Sequence, residues 1–129
     1  MIVLFLLLSD ADTRLAEIRA HFSVPALESL ANDAPGTEAG GQAAAWRGAV
    51  ALGNHDLDGA ARWFERARSA PPGGEAQRQA ERGLGDLDLL QRRYSSALLH
   101  FQNAAAGARP ILAEELLQKS ALAQRLRAR

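Results

Sequence analysis

Along most of the chain apolar residues recur three and four positions apart, the spacing of one face of an α-helix, and turn-forming clusters cut this pattern into seven stretches. Asp12 or Thr13 is placed to cap a first helix running to about Phe22, with Leu15, Ile18 and Phe22 on one face. Ser23-Val24-Pro25 reads as a restart, because proline is tolerated in a first helical turn and penalised further in. The second helix carries Ala26, Leu27 and Leu30 and stops near Asn32-Asp33-Ala34-Pro35-Gly36. Ala34 to Gly41, rich in glycine, proline and threonine, reads as a flexible joint. A third helix is expected from about Gln42 to Gly53, with a turn at Gly53-Asn54-His55-Asp56. A fourth starts near Leu57 and ends before Pro71-Pro72-Gly73-Gly74. The fifth covers about Glu75 to Arg92 and the sixth about Tyr94 to Ala106. After Gly107, a seventh is expected from Pro110 to Arg127, with Ile111, Leu112, Leu116, Leu117 and Leu122 as its apolar stripe. Nothing reads as a strand except the first eight residues, which are ambiguous, so the expected class is all-α.

An internal repeat stands out. Leu57, Ala60, Phe64 and Ala67 recur as Tyr94, Ala97, Phe101 and Ala104, each pair separated by 37 residues, and Gly48 maps onto Gly85 by the same shift. Residues three and four apart share a helix face, so Phe64 and Phe101 each project a ring from a face that the alanines keep shallow. A glycine inside a helix costs about 1 kcal/mol relative to alanine, and close approach of the neighbouring helix is the physical reason to keep one at Gly48 and Gly85. One such hairpin cannot hide its apolar face alone, whereas stacked copies can, provided the ends are capped. The same shift carries Pro72 back to Pro35 and Phe64 back to Leu27, which makes residues 12–35 a candidate diverged first unit. Carried forward, it makes the seventh helix a solvating cap.

These residues resemble the tetratricopeptide repeat, whose pattern places Leu-Gly in a first helix, an aromatic, Ala and Phe in a second, and Pro at the exit. Leu84-Gly85, Tyr94, Ala97, Phe101 and Ala104 follow it, with Pro110 one place late. Gly48, Leu57, Ala60, Phe64, Ala67 and Pro72 follow it in the earlier unit. Departures are present: Ala44 and Glu81 stand where the family often has Trp, Arg47 replaces Leu, and Ala51 and Asp88 replace Tyr. The period exceeds the family's usual length of about 34, and Pro71-Pro72-Gly73-Gly74 is the natural place for the excess. The resemblance implies a right-handed α-solenoid of antiparallel hairpins, residues 12–129, preceded by an apolar segment, residues 1–11. It further implies a peptide-binding groove lined by the first helix of each hairpin. That lining would come from Gln42, Ala45, Trp46, Ala49 and Leu52 in one unit, and from Gln79, Arg82, Asp86 and Leu89 in the next. Trp46 is the foremost of these, since tryptophan and arginine dominate binding hot spots; packing against the neighbouring hairpin is its alternative role. The lysine and asparagine set that grips a C-terminal carboxylate in chaperone-binding members is absent from these positions.

Composition narrows the reading. Hydrophobic residues make up 47% but aromatics only 5%, which points to a core of alanine and leucine. Fifteen Lys+Arg balance fifteen Asp+Glu, so no net field favours nucleic acid. The basic set is nearly all arginine, a bias expected of a GC-rich, bacterial genome. Cysteine is absent, which removes disulfides, thiolate catalysis and Cys-based zinc sites. The eight apolar residues Met1 to Leu8 fall short of the roughly 20 needed to span a bilayer. They match the core of an export signal, with Ser9-Asp10-Ala11 as a cleavage point, but lack the positively charged start. An apolar segment packed on the first helix and a fragment boundary are the competing readings. Membrane association is expected only through this segment, and an exported, periplasmic location is set against a cytoplasmic one.

Candidate chemistry is sparse. His21, His55 and His100 share no metal-ligand spacing. Gly83-Leu84-Gly85-Asp86 follows a helical segment rather than a strand, which argues against a phosphate cradle. The pairs Asp56/Asp58, Asp86/Asp88 and Glu114/Glu115 are expected in turns or on solvated faces. Trp63 and His100, each one residue before a repeat phenylalanine, read as partly buried flanks. The expected function is a scaffold that binds a protein or peptide, with no catalysis, cofactor, metal or small-molecule substrate. Self-association as an assembly element of the cell envelope is the alternative.

Overall fold

The computed structural model describes the backbone of residues 2–106 and 110–128 and the side chains of residues 10–106 and 113–128. It is all-helical: α1 (Ile2–Ala20), α2 (Val24–Asp33), α3 (Glu38–Gly53), α4 (Leu57–Ala67), α5 (Glu75–Leu90), α6 (Tyr94–Ala105) and α7 (Pro110–Arg127), with no strand among the described residues. No helix there is long and apolar enough to cross a membrane.

Helix starts follow their caps. The Ser23 hydroxyl accepts from the Ala26 N–H at 3.3 Å and Pro25 sits in the first turn of α2. Thr37 Oγ1 accepts from the Gly40 N–H at 3.0 Å, and Asp56 Oδ1 from the Gly59 N–H at 3.0 Å. Two boundaries differ from the sequence reading. α1 does not begin at Asp12 or Thr13 but runs unbroken from Ile2, so residues 2–8 are helical. No glycine or proline interrupts residues 2–20, and leucines and alanines continue a helix readily. The joint expected over Ala34 to Gly41 shrinks to Ala34–Thr37, because the Thr37 cap starts α3 four residues earlier than expected. Gly40 and Gly41 are buried helix residues; a Cβ on Gly41 would lie 2.6 Å from the Ala70 Cβ and 2.8 Å from that of Ala76.

The 37-residue register appears in the backbone as well as in the side chains. His55 (φ 61°) and Arg92 (φ 60°) are the left-handed residues that close α3 and α5. The His55 N–H donates to the Leu52 carbonyl as Arg92 does to Leu89, and Asp56 donates to Ala51 as Arg93 does to Asp88. Gly53 is the last residue of α3, as expected. With turns this short, α3 and α4 lie antiparallel, as do α5 and α6.

The core is small-residue packing around two rings. Phe64 and Phe101 are almost fully buried, as are Ala60, Ala67, Ala97 and Ala104 at 0% exposure. A Cβ on Gly48 would fall 2.7 Å from Phe64 Cδ1, and one on Gly85 would fall 2.5 Å from Phe101 Cε1. The close approach expected of these glycines is therefore an approach of the ring of the paired helix. Leu27, at the position equivalent to Phe64, is likewise 0% exposed. Tyr94 and Leu57 are half-buried. α3 packs on α5 as well as on α4, and α7 packs on α6.

The face α7 buries keeps Leu116 of the expected stripe but not Leu117 or Leu122. Leu116, Ser120 and Ala123 are buried, while Leu117 is 56% and Leu122 39% exposed; the side chains of Ile111 and Leu112 lie outside the described residues.

Candidate functional site

α3 and α5 run side by side, and the register sets Ala45 and Ala49 of α3 against Arg82 and Asp86 of α5. Ala45 is covered by the core, but the short, exposed Ala49 leaves open space beside the longer α5 side chains. The result is a cleft of about 320 Å³ lined by Ala45, Trp46, Ala49, Leu52, Phe64, Gln79, Arg82, Gly83 and Asp86. Seven of these were assigned to the groove in the sequence, and the structure brings them to one place.

Two assigned residues lie elsewhere. Gln42 Oε1 accepts from Arg19 Nη2 of α1 at 2.6 Å, while its Nε2 donates to Glu38 Oε1 at 3.0 Å. Leu89 packs beside Phe101 in the core shared by α6 and α7. Two lining residues, Phe64 and Gly83, lie outside the first-helix positions that the resemblance points to. In the sequence Phe64 reads as a packing ring, and Gly83 as part of a glycine-rich run. Gly83 leaves room for the same ring that Gly48 admits from the other side, since a Cβ there would overlap Phe64 Cζ.

Trp46 packs on the neighbouring hairpin and faces the cleft. Its ring lies 5.3 Å from that of Phe22, tilted by 32°, and it also forms a wall of the cleft. The polar side of the cleft is tied to α7. Arg82 Nη2 donates to Glu115 Oε1 at 2.5 Å, and Lys119 Nζ donates to Asp86 Oδ1 at 2.8 Å. An apolar pocket with a few convergent polar groups suits binding. A larger cavity of about 550 Å³ lies between α1 and α2, lined by Arg14, Glu17, Ile18, His21, Ala26 and Ser29; unlike the cleft, it contains none of the assigned groove residues.

Outside the cleft, two clusters join neighbouring hairpins. Arg66 and Arg47 lie 4.5 Å and 5.7 Å from the centre of the half-buried Trp63 ring. Each also reaches α2: Arg66 Nη2 donates to Asn32 Oδ1 and Arg47 Nε to Glu28 Oε1. His100 of α6 stands between two carboxylates of α5, with Nδ1 2.5 Å from Glu81 Oε2 and Nε2 3.6 Å from Asp88 Oδ2. Arg68 Nε adds an ion pair to Glu81 at 3.2 Å. Asp88 thus departs from the solvated face expected for Asp86/Asp88, for it is 6% exposed. It faces the paired helix, where the family pattern has tyrosine. Among the described residues no group of three or more His, Cys, Asp or Glu could hold a metal ion.

No protein-family model, curated protein or solved structure matches this chain.

Proposed function

We propose that this chain is a binding module of the tetratricopeptide-repeat kind, a right-handed solenoid of three hairpins and a cap, which seats a protein or peptide segment in the α3/α5 cleft and carries out no catalysis. The observation that carries this reading is the convergence of Trp46, Leu52, Gln79, Arg82 and Asp86 on one cleft between consecutive units. The shared turn geometry at His55 and Arg92 supports stacked, equivalent hairpins. Tryptophan and arginine in a partly dry pocket are the residues that anchor interfaces. Partner capture from a cell extract followed by titration tests it. Trp46→Ala and Arg82→Ala are each expected to weaken binding at least about tenfold, and unchanged affinity in both variants removes the cleft as the site.

The exposed Leu117 and Leu122 on α7 favour a second reading, self-association through the end of the array. Light scattering separates the two, because a chain that stays monomeric at high concentration cannot be assembling through that face.

A further inference from the structure

Arg82 and Asp86 stand one turn apart on α5, and Glu115 and Lys119 one turn apart on α7. Both cross-pairs span 33 residues, so the two helices run parallel and present matched charges in the same order. The Arg82–Glu115 pair is not locked in the interior, its side chains being 41% and 45% exposed. Ion pairs at such positions contribute little net stability, and their partners exchange readily.

The other flank of α5 is different. There the residues at the equivalent positions are Ala45 and Ala49, too short to reach either charge. That flank is the open, apolar part of the cleft, walled by Trp46 and Leu52. Arg82 is the single cation among the lining residues, and it is also what α7 holds. A guanidinium offers five N–H donors in a planar fork that suits a carboxylate on two of them, whereas Glu115 is bonded to Nη2 alone.

Building on the peptide-binding reading above, we propose that the cleft recognises a segment carrying a large aliphatic or aromatic side chain beside a side-chain carboxylate, with Glu115 as the internal competitor for Arg82. The apolar side chain fills the notch over the exposed Ala49, between Trp46 and Leu52. The neighbouring carboxylate takes the guanidinium that Glu115 releases. Asp86 fixes the direction, because a carboxylate placed one turn further along α5 would meet its charge. The cleft volume of about 320 Å³ admits a side chain with its flanking backbone and is too small for a folded helix.

The test uses the full chain and four fluorescein-labelled hexapeptides. Two carry Leu-Glu or Glu-Leu in a polyalanine frame, and two carry Leu-Gln or Gln-Leu. Glu115→Gln and Glu115→Ala, both at a half-exposed position, should bind one acidic peptide about threefold to tenfold more tightly than the unaltered chain, the gain expected when an internal competitor is removed. Arg82→Gln should bind that peptide only as well as its Gln-containing counterpart, whose affinity the Glu115 and Arg82 variants share. If both Glu115 variants bind the acidic peptides no better than the unaltered chain, the competitor role is overturned. If the Gln peptides bind as tightly as the acidic ones, the carboxylate preference is overturned. Either failure leaves the cleft reading standing so long as Trp46→Ala abolishes binding. If no variant binds any of the four and Trp46 emission, read in a Trp63→Phe background, never changes, the cleft reading itself fails.

Discussion

Phe64 sits between two glycines, Gly48 of its own hairpin and Gly83 of the next, and a methyl group on either would meet its ring. The opposing effects on substitution can be weighed. Alanine recovers up to about 1 kcal/mol of helix propensity over glycine, whereas forcing an extra carbon into a packed core costs about 1–3 kcal/mol. The ring is enclosed and cannot swing away, so the packing term wins. Gly48→Ala is expected to lose stability in a urea titration, while Gly53→Ala, which has nothing within 4 Å of the added carbon, should gain up to about 1 kcal/mol. A matching gain at Gly48 would show that the ring is not confined as described. Phe101→Ala removes the equivalent ring, and a loss of about 3–5 kcal/mol is expected in the same titration.

At the scale of elements, caps and inter-helix ties set where helices begin and how they meet. Thr37 starts α3 just ahead of the buried Gly40 and Gly41, which are poor helix formers, so this cap matters more than one before alanine. Thr37→Ala should cost about 0.5–2 kcal/mol, with the fraying read as faster amide exchange at Glu38 to Gly41. The tie between α5 and α6 is polar. Asp88 Oδ2 is buried without a hydrogen-bond partner within ordinary reach, and His100 Nε2 at 3.6 Å is the group that faces it. Replacing the imidazole by an apolar side chain leaves that carboxylate facing hydrocarbon, so His100→Leu is expected to destabilise by about 1–3 kcal/mol. Restoring the loss with Asp88→Asn in the same chain would confirm the pairing, and an unchanged His100→Leu midpoint would discount it.

Across the whole molecule the units are coupled mainly to their neighbours, since α3 meets α4 and α5 while α7 meets α6. Stability in such an array propagates through interfaces. Leu116 is the large buried side chain of the terminal helix, 1% exposed against α6. Leu116→Ala should cost about 2–5 kcal/mol. The loss should be uneven, with hydrogen exchange accelerating in α6 and α7 well before α2 and α3. Uniform loss of protection along the chain would mean that the molecule unfolds as one unit.

Much of this was readable in order. The seven helical stretches followed from period and punctuation, because apolar spacing and the Pro71–Gly74 block act locally and need no knowledge of the fold. The 37-residue register was visible because each hairpin must bury the same kind of ring against the same kind of glycine. Seven of the cleft residues were legible for the same reason, as equivalent positions on successive first helices. What lay beyond the sequence depended on groups far apart in the chain. Asp88 is buried because α6 brings His100 over it; locally it is an acidic residue in a polar stretch. Leu117 is exposed and Ser120 buried because the face of α7 is chosen by α6, and spacing alone cannot tell which of two apolar stripes meets a neighbour. Glu115 and Lys119 gained their meaning when α7 set them on Arg82 and Asp86, 33 residues earlier. Local pattern determined the elements and their repetition, and tertiary packing decided which charges are shared and which are left to solvent, because an ion pair depends on distance in space.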